Sequence, residues 1–372
     1  MALLISTLAT AAASPVHPGG GAVIESEDGR FGVKIQSRIQ LLETVQSVDN
    51  GPVQQGFNLR RARLKVSGWG FGRSNRWLMQ LGLSDSDRDS PGGSPLLDAY
   101  WEYAPDAPVR LVVGQYKIPI SRARIGSSAG LQFVDRHSLD SEFALGRDRG
   151  ATAVAEGWSP YGEEARVVGI LGIFQGSGRA TGLIQGNSAT PMARVELMPL
   201  GAFDFHEDGD LERSEQLRIG LGAGVARAIQ APRSRGGVGS EPADGGTTNM
   251  TVYAFDLGLR WQGFSFEASV AGRKGERKTK DVPPSAIEAP RNGTGWVVQG
   301  GAMLPRVPVG VAGRYTSIVP SGRSSLLPSQ ELGGAVSWWI AGHPYDLTAD
   351  LVRLSIGDET TLRGRLQLEL SL

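Results

Sequence analysis

The sequence predicts an all-β chain closed into a transmembrane, up-and-down antiparallel β-barrel of about 16 strands. Three observations carry that reading. Segments alternating polar and apolar residues recur along the chain, the connections between them alternate long and short, and aromatic residues gather beside the short ones. Period-two alternation is the mark of a strand with two unlike faces.

Strand-like segments lie near 31–43, 57–68, 76–84, 96–104, 109–117, 150–158, 165–175, 190–199, 215–227, 250–261, 264–274, 294–304, 308–317, 331–341, 345–356 and 360–372. Clusters of Gly, Pro, Ser and Asp separate them. The second segment, within FNLRRARLKVSGWG, sets Arg61, Arg63, Lys65 and Ser67 on one face and Ala62, Leu64, Val66 and Gly68 on the other. In FSFEASVAGR, Phe264, Phe266, Ala268 and Val270 stand opposite Ser265, Glu267 and Ser269. The last segment, TLRGRLQLELSL, has Leu362, Leu366, Leu368, Leu370 and Leu372 opposite Arg363, Arg365, Gln367, Glu369 and Ser371. A soluble sandwich would bury the apolar faces; a membrane barrel turns them to lipid and the arginines to a wet lumen.

The connections favour the barrel. Odd-numbered ones include TVQSVDNGPVQQG, DSDRDSPGGSP and residues 118–149, 229–249, 275–293 and 318–330. Even-numbered ones are brief, such as PDAP, SPYGEE, QG, PRVP and GHP; residues 200–214 are the longer exception, and the last odd one, GDE, is short. Outer-membrane barrels have short turns at one end and long loops at the other. Trp69, Trp77, Trp101, Trp158, Trp261, Trp338 and Trp339 lie beside the short turns, with Phe71, Tyr103, Tyr161, Phe264 and Tyr345, whereas Trp296 sits at the opposite end. One clustered level predicts an interfacial girdle.

Composition bounds the remainder. Lys plus Arg and Asp plus Glu number 38 each, so nothing points to a nucleic-acid partner, and with no Cys there are no disulfides or thiolate sites. The first 20 residues, MALLISTLATAAASPVHPGG, resemble a secretory signal cut near Ala12 or Ala13, although the usual basic n-region is missing. An Ala-rich tail is the alternative. Residues 21–372 then form one barrel domain, since no later run is apolar and long enough for a membrane helix.

Several blocks follow one another in a familiar order: FNLRRARLKVSGWG, VVGQYKIPISR, LQFVDRHSLDSEFALGRDRG, GIFQGSGR, GRYTSIVP, ELGGAVSWWIAGHPYDLTADL and RGRLQLEL. The chain resembles the phosphate-selective porin O and P family from about residue 31 to its end. The resemblance implies a 16-stranded trimeric barrel in the outer membrane of a Gram-negative bacterium. It also implies passive passage of anions of the phosphate or polyphosphate class, no cofactor, and a long third loop folded into the pore. Residues 118–149 are the third long connection, and they or their flanks supply Lys117, Arg122, Arg124, Arg136, Arg147 and Arg149. Two departures stand out. The terminal residue is Leu372 rather than an aromatic, and the loop offers Arg122 and Arg124 around a single Lys117 where phosphate-selective members are lysine-rich.

Parity places Lys34, Arg38, Arg61, Arg63, Lys65, Arg110, Arg194, Arg218, Arg260, Arg273, Arg314, Arg363 and Arg365 inside. Asp98, Glu102, Glu196, Asp256, Glu267, Glu331, Asp346, Asp350 and Glu369 join them. Arg suits oxyanions because its planar fork donates parallel hydrogen bonds and stays charged. Lys34, Arg38, Arg61, Arg63, Lys65, Arg363 and Arg365 come from strands that meet where the barrel closes, so one basic patch is expected. The alternative is that strand charges pair across the lumen and only keep it wet. The expected solutes are small, anionic or hydrophilic; a general porin without preference and a secreted β-rich binding protein are the rival readings.

Other signals are weaker. His17, His137, His206 and His343 have no recognisable triad partner, and GLGAGVA at 220–226 lies in mid-strand with no helix after it. No catalytic site is therefore expected; the glycines suit lumen space or barrel curvature. DSDRDSPGG at 85–93 alternates acids as calcium loops do, but lacks the glycine and terminal glutamate of an EF-hand. That leaves a weak divalent site or a solvated tip.

Overall fold

The computed structural model describes residues 12–13, 19–88, 93–106, 108–158, 165–179, 188–279 and 283–372. Its barrel strands are β1 (Gly32–Val48), β2 (Gln54–Trp69), β3 (Asn75–Gly82), β4 (Leu96–Tyr103), β5 (Val109–Lys117), β6 (Arg147–Trp158), β7 (Arg166–Phe174) and β8 (Thr190–Met198). They continue as β9 (Arg218–Ala231), β10 (Thr247–Trp261), β11 (Phe264–Lys278), β12 (Gly293–Met303), β13 (Val309–Pro320), β14 (Ser329–Trp339), β15 (Tyr345–Ile356) and β16 (Glu359–Ser371). Each pairs antiparallel with the next, and β16 pairs with β1 from Thr361 opposite Val48 to Ser371 opposite Arg38. The sheet closes, so no strand edge is left for lipid. Below that seam the lower part of β1 pairs instead with a short strand, Ala22–Glu25, and that with Ala12–Ala13. Most of the predicted signal segment, residues 1–11 and 14–18, lies outside the described residues.

All 16 predicted strands are present. The first connection differs: most of the predicted loop belongs to β1 and β2. Asp49 and Asn50 take positive φ of 48° and 56°, as in the tight turns that match strand twist, so the pairing runs on to Gln46 opposite Gln54.

Polarity is inverted relative to a soluble core. Leu366 is 46% exposed and Phe266 39%, while Arg365 is 9% exposed and Glu369 1%. The leucine faces lipid and the guanidinium faces inward, which excludes the sandwich. At the short-turn level Trp101, Trp261 and Trp338 are exposed with Phe71, Tyr103, Phe264 and Tyr345, forming the girdle. Trp339 is a correction. It is buried and turned inward, because adjacent residues on a strand cannot share a face and Trp338 takes the outer one. The Trp158 side chain and Tyr161 lie outside the described residues.

Two inserts fill the lumen. Residues 118–146 enter from the long-loop end, carrying α1 (Arg122–Ile125) and α2 (Ser138–Phe143). Ile118, Ile120, Leu139, Phe143 and Leu145 pack on Ala226, Ala254, Ala271, Val297 and Ile318 of the far wall. Small wall residues make this possible: a Cβ on Gly224, within GLGAGVA, would stand 2.1 Å from the Ile120 carbonyl oxygen. Residues 199–217, the exception among the short turns, enter from the opposite end with Phe205 seated on Gly220 and Gly258.

Candidate functional site: a basic constriction

The two inserts meet at Arg122. Its guanidinium binds Glu267 through two bonds of 2.7 Å, pairs with Asp208 at 3.2 Å and donates to the carbonyl of Phe205; its backbone N–H reaches Asp256 at 2.9 Å. Arg122 is thus spent on structure. Asp208 also accepts from Gln299 at 3.1 Å and from the Gln132 N–H at 3.3 Å. Burial pushes this carboxyl up, but Arg122 and those donors outweigh it and hold it below its ordinary range.

Elsewhere the wall anchors the loop by receiving its N–H groups. Val134 donates to Asp350 at 3.1 Å and Ser138 to Glu331 at 2.7 Å, while the Ser337 hydroxyl donates to the Gln132 carbonyl. Glu331 of β14 and Asp350 of β15 therefore hold loop backbone, while also binding Arg314 and Arg365.

What remains is a waist between one outer cavity and two inner ones. The outer cavity, about 910 Å³, meets Arg61, Arg124 and Arg136. The inner cavities, about 810 and 720 Å³, share Lys65 and Lys117, and Arg38, Arg63 and Arg147 line the second. Arg38 stands opposite Arg63 in the register, and both donate to the Ser128 hydroxyl, at 2.7 and 3.3 Å. Across from them Lys117 donates to the Gly126 carbonyl at 2.8 Å, and Arg136 to the carbonyls of Ala123 and Gly126 at 2.6 Å. Burial, then the guanidiniums of Arg63 and Arg147, lowers the Arg136 pKa; burial brings Arg124 down to about 10. Crowded like charge is the physical content of this waist.

Carboxylates offset part of it. Asp87 pairs with Arg63, Asp98 with Arg147 at 2.9 Å, and Asp140 with Arg124 at 3.7 Å. Asp135 joins Arg60 at 2.9 Å, Arg61 at 3.2 Å and Arg365 at 2.9 Å, so one negative charge serves three guanidiniums. Burial raises the Asp135 carboxyl, yet these three together hold it well below the usual carboxylate range. Among the described residues, neither Lys117 nor Arg136 has a carboxylate partner at ion-pair distance. The outer cavity is more one-sided still: 10 arginines line it against 4 carboxylates.

Of the residues the sequence singles out, the structure gathers Arg38, Arg61, Arg63, Lys65, Lys117, Arg124, Arg136 and Arg147 around the waist. Arg365 is joined through Asp135, and Arg363 stands above it, donating to Gln46 at 3.0 Å. Lys34 lies lower on β1, opposite Ser67 and Val23. Arg149 faces Gln115 in the register, and none of the three cavities has it in its lining. Arg60 escapes sequence parity because β1 and β2 slip register between Gln40 and Leu41, a bulge that turns adjacent arginines to one carboxylate. The double arginine of LRRARLK is its only trace in the sequence. In the acidic run at 85–93, Asp87 turns onto Arg63, and residues 89–92 lie outside the described residues. Among the described residues no three His, Asp or Glu side chains are placed to hold a metal.

Residues 33–182 match the family model of phosphate-selective porin O and P. That segment holds the first seven strands and the whole inserted loop. No curated protein matches the chain by sequence. The fold is similar to an anion-selective porin from Comamonas acidovorans, with TM-score 0.60 at 9% identity over 92% of this chain and 100% of that one. It is also similar to the outer membrane channel DcaP of Acinetobacter baumannii, with TM-score 0.57 at 11% identity over 94% and 99%. The trimer form of OmpT from Vibrio cholerae gives 0.54 at 9% identity over 92% and 99%. The architecture is that of outer-membrane porins.

Proposed function

We propose that this chain is an outer-membrane porin through which small hydrophilic solutes diffuse, with a preference for anions. One observation carries the preference: guanidinium groups outnumber carboxylates at the waist and, 10 to 4, in the outer cavity. A cavity walled in low dielectric concentrates the field of such an excess and raises the local anion concentration. The family match and the anion selectivity of the Comamonas porin support the same reading. The sites are Arg38, Arg61, Arg63, Lys65, Lys117, Arg124, Arg136 and Arg147 at the waist, with Arg363 and Arg365 above. Arginine where the family's phosphate-selective members use lysine favours broad oxyanion passage over a dedicated phosphate ladder. Assembly as a homotrimer is part of the proposal, supported by the trimeric OmpT of like fold.

A planar bilayer under a KCl gradient tests this. The zero-current potential is expected to take the sign of chloride preference. Potassium preference would remove the anion reading and leave a porin; no conductance from folded, reconstituted protein would remove both. A non-selective general porin is the second reading, favoured by the many inward charges already paired, and a zero-current potential near zero is its signature.

A further inference from the structure

The inward face of β15 changes character along its length. Asp346, Thr348 and Asp350 are polar, but Val352, Leu354 and Ile356 continue the same parity into the outer cavity. Val352 is buried against Phe133 of the inserted loop, which leaves Leu354 and Ile356 as the part of the strip that a lumen for hydrated ions alone would not need. Ile356 is 44% exposed and Leu327, on the neighbouring loop and close to Gly357, is 56% exposed, so part of the strip is uncovered. Val352 stands directly opposite Arg363 on β16, and Leu354 opposite Thr361. Leu354 is thus the diagonal neighbour of Arg363, roughly 7–8 Å away, so an apolar wall and a guanidinium edge the same spot. Arg363 spends its Nε–H on Gln46 and, among the described residues, forms no ion pair. Arg363 and Arg365 both line the cavity.

We infer that the outer cavity holds a subsite for organic anions with an apolar body, a carboxylate bound by Arg363 and a ring or branched chain lying on Leu354, Ile356 and Leu327. This rests on the anion-porin reading and narrows its solute class. The cavity of about 910 Å³ is ample for such a molecule. The apolar strip supplies what a charge ladder lacks, discrimination between anions of one head group by the body attached. The site holds its guest weakly enough to release it towards the waist, as conduction requires.

The test is ion-current block in planar bilayers with four probes added on the long-loop side: benzoate, acetate, benzyl alcohol and inorganic phosphate. Benzoate is expected to bind about tenfold more tightly than acetate, the worth of partly burying a ring. Benzyl alcohol, which has the ring without the charge, is expected to produce no block. Leu354→Ser should bring benzoate and acetate together, and Arg363→Gln should weaken both. Ile356→Ser repeats the first result if Leu354→Ser folds poorly. Equal block by benzoate and acetate in the native pore overturns the subsite, as does equal block by benzoate and benzyl alcohol or a preference for phosphate over benzoate. The zero-current potential in KCl, recorded on the same membranes, reports separately on the anion-porin reading.

Discussion

At the scale of the residue, the central fact is the unequal sharing of carboxylates. Asp135 stands between Arg60, Arg61 and Arg365. Asp135→Asn would leave three guanidiniums facing one another, at a cost of about 1–3 kcal/mol, while deepening the positive field. The expected outcome is a lower thermal midpoint in detergent together with a zero-current potential further on the chloride side. Because its folded-state pKa is depressed, Asp135 contributes stability that is complete above the ordinary carboxylate value and is lost as pH falls through and below it. His137 acts at higher pH. Its Nδ1 accepts the Asp140 N–H at 3.1 Å, capping α2, and burial lowers its pKa from 6.5 although Asp140, Glu331 and Asp208 oppose the shift and Arg314 assists it. Protonation is therefore resisted when folded, and stability falls as pH drops below 6.5 towards the lowered value. Amide protection factors in residues 138–143, with the intrinsic pH dependence of exchange divided out, should fall on acidification through that range, and His137→Asn, which keeps a capping oxygen, should abolish the fall. Much of this chemistry was legible in the sequence, since parity alone put Arg38, Arg61 and Arg63 inside. The partners of Arg61 and Arg63 were not, because Asp135 and Asp87 come from loops, and Arg60 joins Asp135 only through a bulge.

At the scale of the element, strands were easier to read than inserts. Strands such as β2, β11 and β16 declare themselves through local alternation, while β7, apolar on both faces, is marked by its β-branched run and the Gly and Ser residues that follow it. Residues 199–217 declared only their excess length, because their fixed shape comes from distant contacts: Phe205 over Gly220, and Asp208 with Arg122. The inward apolar strip on β15 escaped for a related reason, its residues being ordinary strand formers until closure gives them a side. The inserted loop depends on missing side chains in the wall. Gly224→Val should force Ile120 away, raising single-channel conductance and lowering stability by roughly 1–3 kcal/mol. Arg122→Ala should do more, since it leaves Glu267 and Asp208 buried without their shared cation. Rapid transitions between conductance levels are expected in single-channel records, against a steady level in the native protein.

At the scale of the whole molecule, closure converts a modest pattern into a strong constraint. Once β16 meets β1, each outward leucine must be compatible with acyl chains. Leu366→Arg should therefore cost about 2–4 kcal/mol near mid-bilayer and reduce folding into vesicles, whereas Ser371→Arg, on the lumen side of the same strand and lining an inner cavity, should fold normally. Comparing folded yields of the two variants checks the assignment of faces for the entire barrel.

The link between the inserts also has a mechanical meaning. A flap hinged at a single rim swings, but one tied to a second arm rising from the far rim becomes a crossbeam. Residues 118–146 and 199–217 are fastened to each other through Arg122 and to the wall through Glu267. Such a cylinder resists being squeezed oval, so its aperture should stay the same width whether the surrounding bilayer is thick or thin.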